Sequence, residues 1–119
     1  MRKIVVIEED EKLSEMLKRN LEKKGYDVLI ASNGREGIEF FKDRLPYCVI
    51  TDIHVQIRNG LDVILEVRKN FKNIPVIAIY NENKKNSPDL LSTAKRFGAR
   101  ATFYMPSELN KLINEIRSI

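Results

Sequence analysis

Short apolar runs alternate with helical patterns five times along this chain of 119 residues. The runs are rich in β-branched residues and predict strands over residues 3–7, 26–31, 47–50, 76–80 and 101–104. They lack the polar alternation of a half-exposed strand, so we expect them to be buried on both faces. The pattern therefore predicts an α/β fold, a five-stranded parallel doubly wound sheet with helices on both faces and right-handed crossovers.

Capping residues mark where the intervening helices begin and end. The predicted N-caps are Asp10, Asn33, Asn59 and Ser87, and the predicted stops are Gly25, Pro46 and Gly98. Ser87 is followed by proline, which favours the first helical position. The second helix is expected to turn Ile38, Phe41 and Leu45 inward. A fifth helix is expected after Pro106.

Composition limits the class of protein. Apolar residues make up 43% of the chain and charged residues 32%, and no apolar run approaches the length that spans a bilayer. The single cysteine, Cys48, lies in a predicted strand, which favours a reducing, cytoplasmic setting and a core role. The net charge of +4 is spread over several helices. We therefore expect one domain over residues 1–119 with no membrane partner, and nucleic-acid binding only through a further domain outside these residues.

Three carboxylates follow predicted strands. Glu8 and Glu9 follow the first strand, and Asp52 follows the third. The carboxyl ends of parallel strands share one edge of a sheet, where ligands bind in open α/β folds. Gathered carboxylates repel one another unless a cation joins them, and Mg²⁺ is the expected ion. A capping role for each acid is the simpler alternative.

The whole chain resembles the receiver domain of two-component response regulators. The matching pieces are Glu8-Glu9, Gly25-Tyr26, Ser32-Asn33-Gly34, Asp52, Gly60, Ile74-Pro75-Val76, Gly98-Ala99 and Pro106. The resemblance implies a flavodoxin-like sheet of order 2-1-3-4-5 and no enzyme activity of its own.

The same resemblance implies roles for particular residues. Asp52 would accept a phosphoryl group from a phosphohistidine of a sensor histidine kinase. Mg²⁺ would be held by Glu8, Glu9, Asp52 and the backbone carbonyl of His54. The Met105–Pro106 bond would be cis.

The chain departs from the family pattern around this pocket. Met105 stands where the family has a lysine, Tyr80 stands where it has a serine or threonine, and Thr102 stands where it has an aromatic residue. Gln56 replaces a proline, and both residues of the acidic pair are glutamates. Loss of one preorganised charge or donor typically costs about 10²–10³ in rate. Lys84 and Arg58 are the candidate basic residues for compensation, although neither stands at the family's position and Lys84-Lys85 is most simply a solvated loop.

Two interpretations remain open. The first is a functional Mg²⁺-dependent phosphoacceptor with a rewired pocket. The second, which we favour, is an atypical receiver with weak or no phosphorylation that binds a histidine kinase or another signalling protein. Its binding surface would be the face of the fourth helix, fifth strand and fifth helix, and a homodimer through the last two helices is a further expectation. A flavin- or nucleotide-binding role is disfavoured, because residues 34–37 lack the context of a phosphate loop.

Overall fold

Five strands and five helices alternate in the computed structural model, which describes residues 1–54, 59–84 and 87–119. The elements are β1 (Lys3–Ile7), α1 (Glu11–Glu22), β2 (Asp27–Ala31), α2 (Gly34–Glu39), β3 (Cys48–Asp52), α3 (Gly60–Asn70), β4 (Val76–Asn81), α4 (Leu91–Arg96), β5 (Ala101–Met105) and α5 (Leu109–Arg117). Each predicted strand is present, with ends that differ from the prediction by at most two residues.

All neighbouring strands are parallel, in the order β2-β1-β3-β4-β5. The predicted fold class and strand order are thus confirmed. Ile7 is in register with Thr51, and Asp52 is in register with Ile79. The ends of β1, β3 and β4 therefore meet at one edge of the sheet, which is where the candidate site lies.

Each face of the sheet buries its own apolar cluster. Successive residues of β1 divide between them, since Val5 and Ile7 join one cluster and Ile4 and Val6 the other. Helices α2, α3 and α4 cover the first cluster, and α1 and α5 cover the second. In the described part of the chain, no helix combines the length and apolar character needed to cross a membrane.

Three predicted N-caps are confirmed. The Asp10 side chain accepts from Lys12 N, Asn33 accepts from Glu36 N, and Asn59 accepts from Asp62 N. Each carboxylate or amide oxygen satisfies a backbone N–H that has no partner inside its helix.

The predicted cap at Ser87 is wrong, because α4 begins only at Leu91 and has no side-chain cap. Other contacts hold the preceding segment out of the helix. The carbonyl of Ser87 accepts from the Tyr80 hydroxyl at 2.9 Å, and the Asp89 carboxylate accepts from Leu91 N at 3.0 Å. These contacts, made within seven residues along the chain, therefore outweigh the Ser-Pro signal.

The inward position predicted for Leu45 is also wrong, since that residue is 58% exposed. Helix α2 ends at Glu39, so its helical phase does not extend to Leu45. Phe41 is buried and Ile38 packs against the same core, as predicted.

Gly60 lets α3 begin directly against the end of β3. A Cβ at this position would collide with the carbonyl oxygen of Asp52 and would lie 2.7 Å from the Cα of Ile53. Both atoms belong to the backbone, which cannot rotate away as a side chain can. Gly60 thus allows the close approach of helix and strand that places Asp52.

We expect Gly60→Ala to lower the free energy of unfolding by roughly 1–3 kcal/mol, because the added methyl group must displace the backbone of β3. Chemical denaturation followed by circular dichroism measures this loss. Lys69→Ala, an exposed change in the same helix, should stay within about 0.5 kcal/mol. Equal stability of the two variants would contradict the packing argument.

Candidate functional site

Asp52 ends β3 and is fully buried. Its Oδ1 accepts from the backbone N–H of His54 at 2.9 Å, and its Oδ2 lies 3.3 Å from the ammonium of Lys84. A buried carboxylate must be compensated by hydrogen bonds or by an opposite charge. Both of its oxygens are engaged in this way.

The acidic pair after β1 lies at the same edge, as predicted, but its two members differ in environment. Glu8 is only 2% exposed, and its Oε2 accepts from Asp10 N at 2.9 Å. Its Oε1 is buried and has no hydrogen-bond partner among the described residues. Glu9 is partly exposed and bonds to Lys84 instead.

Burial and the neighbouring Asp52 carboxylate raise the pKa of Glu8 to about 9. Glu8 therefore carries a proton at neutral pH. A protonated carboxyl can donate to Asp52, whereas two carboxylates in contact would repel each other.

Lys84 enters this pocket from the loop after β4, which corrects the interpretation of that residue as part of a solvated loop. Its Nζ lies 2.7 Å from Glu9 Oε1 and 2.8 Å from the carbonyl oxygen of His54, besides the contact with Asp52. Its side chain is only 24% exposed. Burial alone lowers the pKa of Lys84, but Glu9, Asp52 and Glu8 outweigh burial and raise it, so the amine is charged.

Met105 contributes no charge from β5. It is fully buried in the apolar cluster under α1 and α5, and its bond to Pro106 is cis, as the resemblance implied. Its carbonyl accepts from Glu82 N at 2.8 Å, which ties the loop after β4 to the end of β5. The cation at this edge therefore comes from the β4 side of the pocket.

Tyr80 is partly buried against the core at the end of β4, and its hydroxyl reaches the segment before α4. Its hydroxyl bonds to the carbonyl of Ser87, and its ring meets the rings of His54 at 6.2 Å and Tyr104 at 5.7 Å, edge to face. The strand register pairs Tyr80 with Tyr104, while half-buried Thr102 pairs with Ala78. Whether these positions switch on phosphorylation remains a prediction.

Asn81 completes the site and was not singled out from the sequence. It is buried, and its Nδ2 donates to Asp10 Oδ2 at 2.9 Å. This hydrogen bond from the Asn81 amide is the main reason why the pKa of Asp10 lies below its usual value. A polar residue closing a buried strand was the signal that could have identified it. Gln56 and Arg58 lie outside the described residues.

A doubly wound parallel sheet with a buried aspartate and an acidic pair at its carboxyl edge defines a class of flavodoxin-like signalling domain. The family model for the response regulator receiver domain matches residues 4–117. The chain belongs to this family, and is a receiver domain of two-component response regulators.

Solved structures agree with this assignment. A response regulator receiver domain from Clostridium thermocellum is 27% identical, with a TM-score of 0.81, over 98% of this chain and 94% of that one. CheY4 of Vibrio cholerae is 21% identical, with a TM-score of 0.80 and 98% coverage of both chains. NtrX from Brucella abortus is 22% identical, with a TM-score of 0.84, but the chain spans only 26% of its length.

Receiver domains generally bind Mg²⁺ at their phosphorylation site. The oxygens expected to hold it, from Glu8, Glu9, Asp52 and the His54 carbonyl, do converge here. Lys84, however, already bonds to the last three of these groups. Within the described ranges, no group of three or more acidic, histidine or cysteine side chains is arranged to hold a metal ion. With Lys84 in place, the pocket does not fit Mg²⁺.

The raised pKa of Glu8 predicts how stability depends on pH. The folded state keeps a proton that the unfolded state releases above about pH 4.5. The stabilisation is therefore fully present below pH 4.5 and is lost as the pH rises to about 9. We expect Glu8→Gln, which resembles the protonated side chain, to remove this part of the pH dependence.

Denaturant titrations at several pH values, in the presence of a chelator, measure the effect. Glu15→Gln, an exposed change in α1, serves as the control and should keep the wild-type slope. A Glu8→Gln variant with an unchanged slope would contradict the protonated state of Glu8.

Proposed function

We propose that this receiver domain is a signalling interaction module of the cytoplasm whose binding does not depend on phosphorylation of Asp52. Receiver domains interact with histidine kinases and other signalling proteins. For this chain we propose such a protein as the partner and binding rather than catalysis as the action.

The state of Asp52 is the observation that carries the proposal. Phosphoryl transfer needs an accessible carboxylate oxygen in line with the donor, and positive charge around the transferred group. Asp52 is fully buried, Oδ1 is bonded to His54 N, and Oδ2 contacts Lys84. A donor would have to displace Lys84 before it could reach the nucleophile.

The position before the cis proline supports the same conclusion. An ammonium there would meet the charge of an incoming phosphoryl group, but Met105 is apolar and packs in the core. Its buried side chain contributes packing energy in place of transition-state stabilisation. Asp52 thus lacks one of the two cations that phosphorylation of this fold ordinarily requires.

The surface formed by α4, β5 and α5 is the proposed contact region. Phe97 and Tyr104 both lie there with 37% of their surface exposed. The Tyr104 hydroxyl donates to the Asp89 carboxylate, which holds the ring in position. Exposed, oriented aromatic rings are common anchors of protein interfaces. A homodimer through α4 and α5 is proposed as an alternative use of the same face.

Lys84 itself favours a second candidate function. It places one positive charge 3.3 Å from Asp52, so a rewired, Mg²⁺-dependent phosphoacceptor would have at least one cation available. In that case the ammonium would turn from Asp52 towards the phosphoryl oxygens. The two functions differ in whether Asp52 takes up phosphate.

Incubation with Mg²⁺ and acetyl phosphate, followed by intact-mass spectrometry, tests this difference. We expect no stable phosphoryl adduct on the wild-type chain, because the nucleophile is buried and already paired. CheY4 treated in parallel provides the positive control. An adduct that disappears in Asp52→Asn would instead establish the phosphoacceptor.

A second experiment measures the signalling output, meaning the cellular response that depends on this protein, in the cell of origin. Asp52→Asn should retain the wild-type output, because the proposed binding does not use a phosphorylated residue. Tyr104→Ala should lower the output through loss of the aromatic contact. Loss of output in Asp52→Asn, with the folded protein present at normal levels, would overturn the proposal.

A further inference from the structure

We propose that the ammonium of Lys84 is a tethered cation that replaces the divalent ion of the receiver pocket. The pocket then takes Mg²⁺ or Mn²⁺ only when Lys84 is removed. This inference goes beyond the proposed function and can fail separately, because it concerns metal binding and not phosphoryl transfer.

The contacts of Lys84 match those expected of the ion. An ammonium has three N–H donors and no acceptor. The three acceptors around Nζ are Glu9 Oε1 at 2.7 Å, the His54 carbonyl at 2.8 Å and Asp52 Oδ2 at 3.3 Å. They are a carboxylate from each of two strand ends and a backbone carbonyl, the mixed oxygen set that also suits a hard divalent cation. Nζ therefore occupies the point where these ligands converge.

Glu8 provides an independent sign of a cation site. It is 2% exposed, yet its Oε1 has no hydrogen-bond partner among the described residues. The carboxyl group lies beside Asp52 and interacts electrostatically with both Asp52 and Lys84. A buried oxygen without a partner is costly unless a proton or an ion satisfies it. With Lys84 gone, a divalent cation would displace the proton of Glu8 and could take this oxygen as a further ligand.

Hydrogen bonds fix the position of the loop that carries Lys84. Lys84 N donates to the Asn81 carbonyl at 3.1 Å, and the Asn81 side chain is anchored to Asp10. On the other side, the Glu82 carboxylate accepts from the backbone N–H of Ser107 at 2.8 Å and from its hydroxyl at 2.9 Å. The turn is thus tied both to α1 and to the segment before α5. Its lysine is held at the pocket by the fold.

The charges explain why removal of Lys84 should create a metal site. The Lys84 ammonium contacts both Glu9 Oε1 and Asp52 Oδ2 and compensates the charge of these two carboxylates. Without Lys84, no other cation among the described residues pairs with Glu9 and Asp52, and their repulsion favours uptake of a divalent cation. Metal and ammonium therefore compete for the same oxygens.

Mn²⁺ binding, followed by electron paramagnetic resonance of the free ion, tests the competition. We expect the wild-type chain to bind no Mn²⁺ at this pocket and Lys84→Met to bind one ion at least about tenfold more tightly than any wild-type site. Lys42→Met removes another ion-paired lysine, at the surface beside Glu39, and should behave as wild type. Adding Asp52→Asn to Lys84→Met should abolish the gain, which locates the ion.

Thermal unfolding gives a second readout. Removal of Lys84 should lower the Tm in chelator, and Mg²⁺ should restore it in this variant alone, since a ligand of the folded state stabilises that state. Lys84→Gln, which keeps a hydrogen-bond donor, provides a milder variant for the same measurement.

Two results would overturn the inference. One is tight Mn²⁺ binding by the wild-type chain that Asp52→Asn abolishes, and the other is no binding by either folded Lys84 variant. Wild-type binding without phosphorylation would leave the proposed function standing. If neither Lys84 variant folds, the inference is tested on the wild-type chain by measuring how fast an amine-reactive reagent modifies each lysine. Lys84 should react much more slowly than Lys42, whether or not Mg²⁺ is present, and equal rates would refute the tethered cation.

Discussion

The contact between Lys84 and the buried carboxylate of Asp52 is the interaction on which the functional edge of this molecule depends. A fully buried negative charge is tolerated only when the protein supplies hydrogen bonds and an opposite charge. His54 N provides the hydrogen bond and Lys84 provides the charge. Burial and the neighbouring Asp52 carboxylate raise the pKa of Glu8, so this acid keeps a proton under the same constraint.

The parallel sheet creates this constraint. Register between β1 and β3 brings Glu8 to Asp52, and register between β3 and β4 brings the loop after β4 to the same place. Gly60 then lets α3 press against the backbone of Asp52. In this receiver domain Lys84 supplies the positive charge that compensates Asp52, so the unphosphorylated pocket is already stable.

Much of this architecture was predictable because it rests on local patterns. Apolar runs bounded by polar residues located every strand, and the caps at Asp10, Asn33 and Asn59 use bonds within a few residues of each other. The two failures have different causes. At Ser87 the local signal for a helix start was outweighed by a hydrogen bond from Tyr80, and at Leu45 the helical phase ended earlier than the apolar spacing indicated.

The sequence by itself determined the fold class, the strand order through its resemblance to the receiver family, and the convergence of Glu8, Glu9 and Asp52 on one edge. The fold class and the convergence follow from periodicity and from the geometry of parallel strands, whereas the strand order follows from the resemblance alone. Only the tertiary structure decided where the compensating charge comes from. Lys84 is 32 residues from Asp52 and 75 from Glu9 along the chain, and a flexible side chain in a polar loop carries no periodic signal of its direction. Its place depends on the turn that Asn81 and Glu82 anchor to distant parts of the chain, and on the field of the acids it meets there.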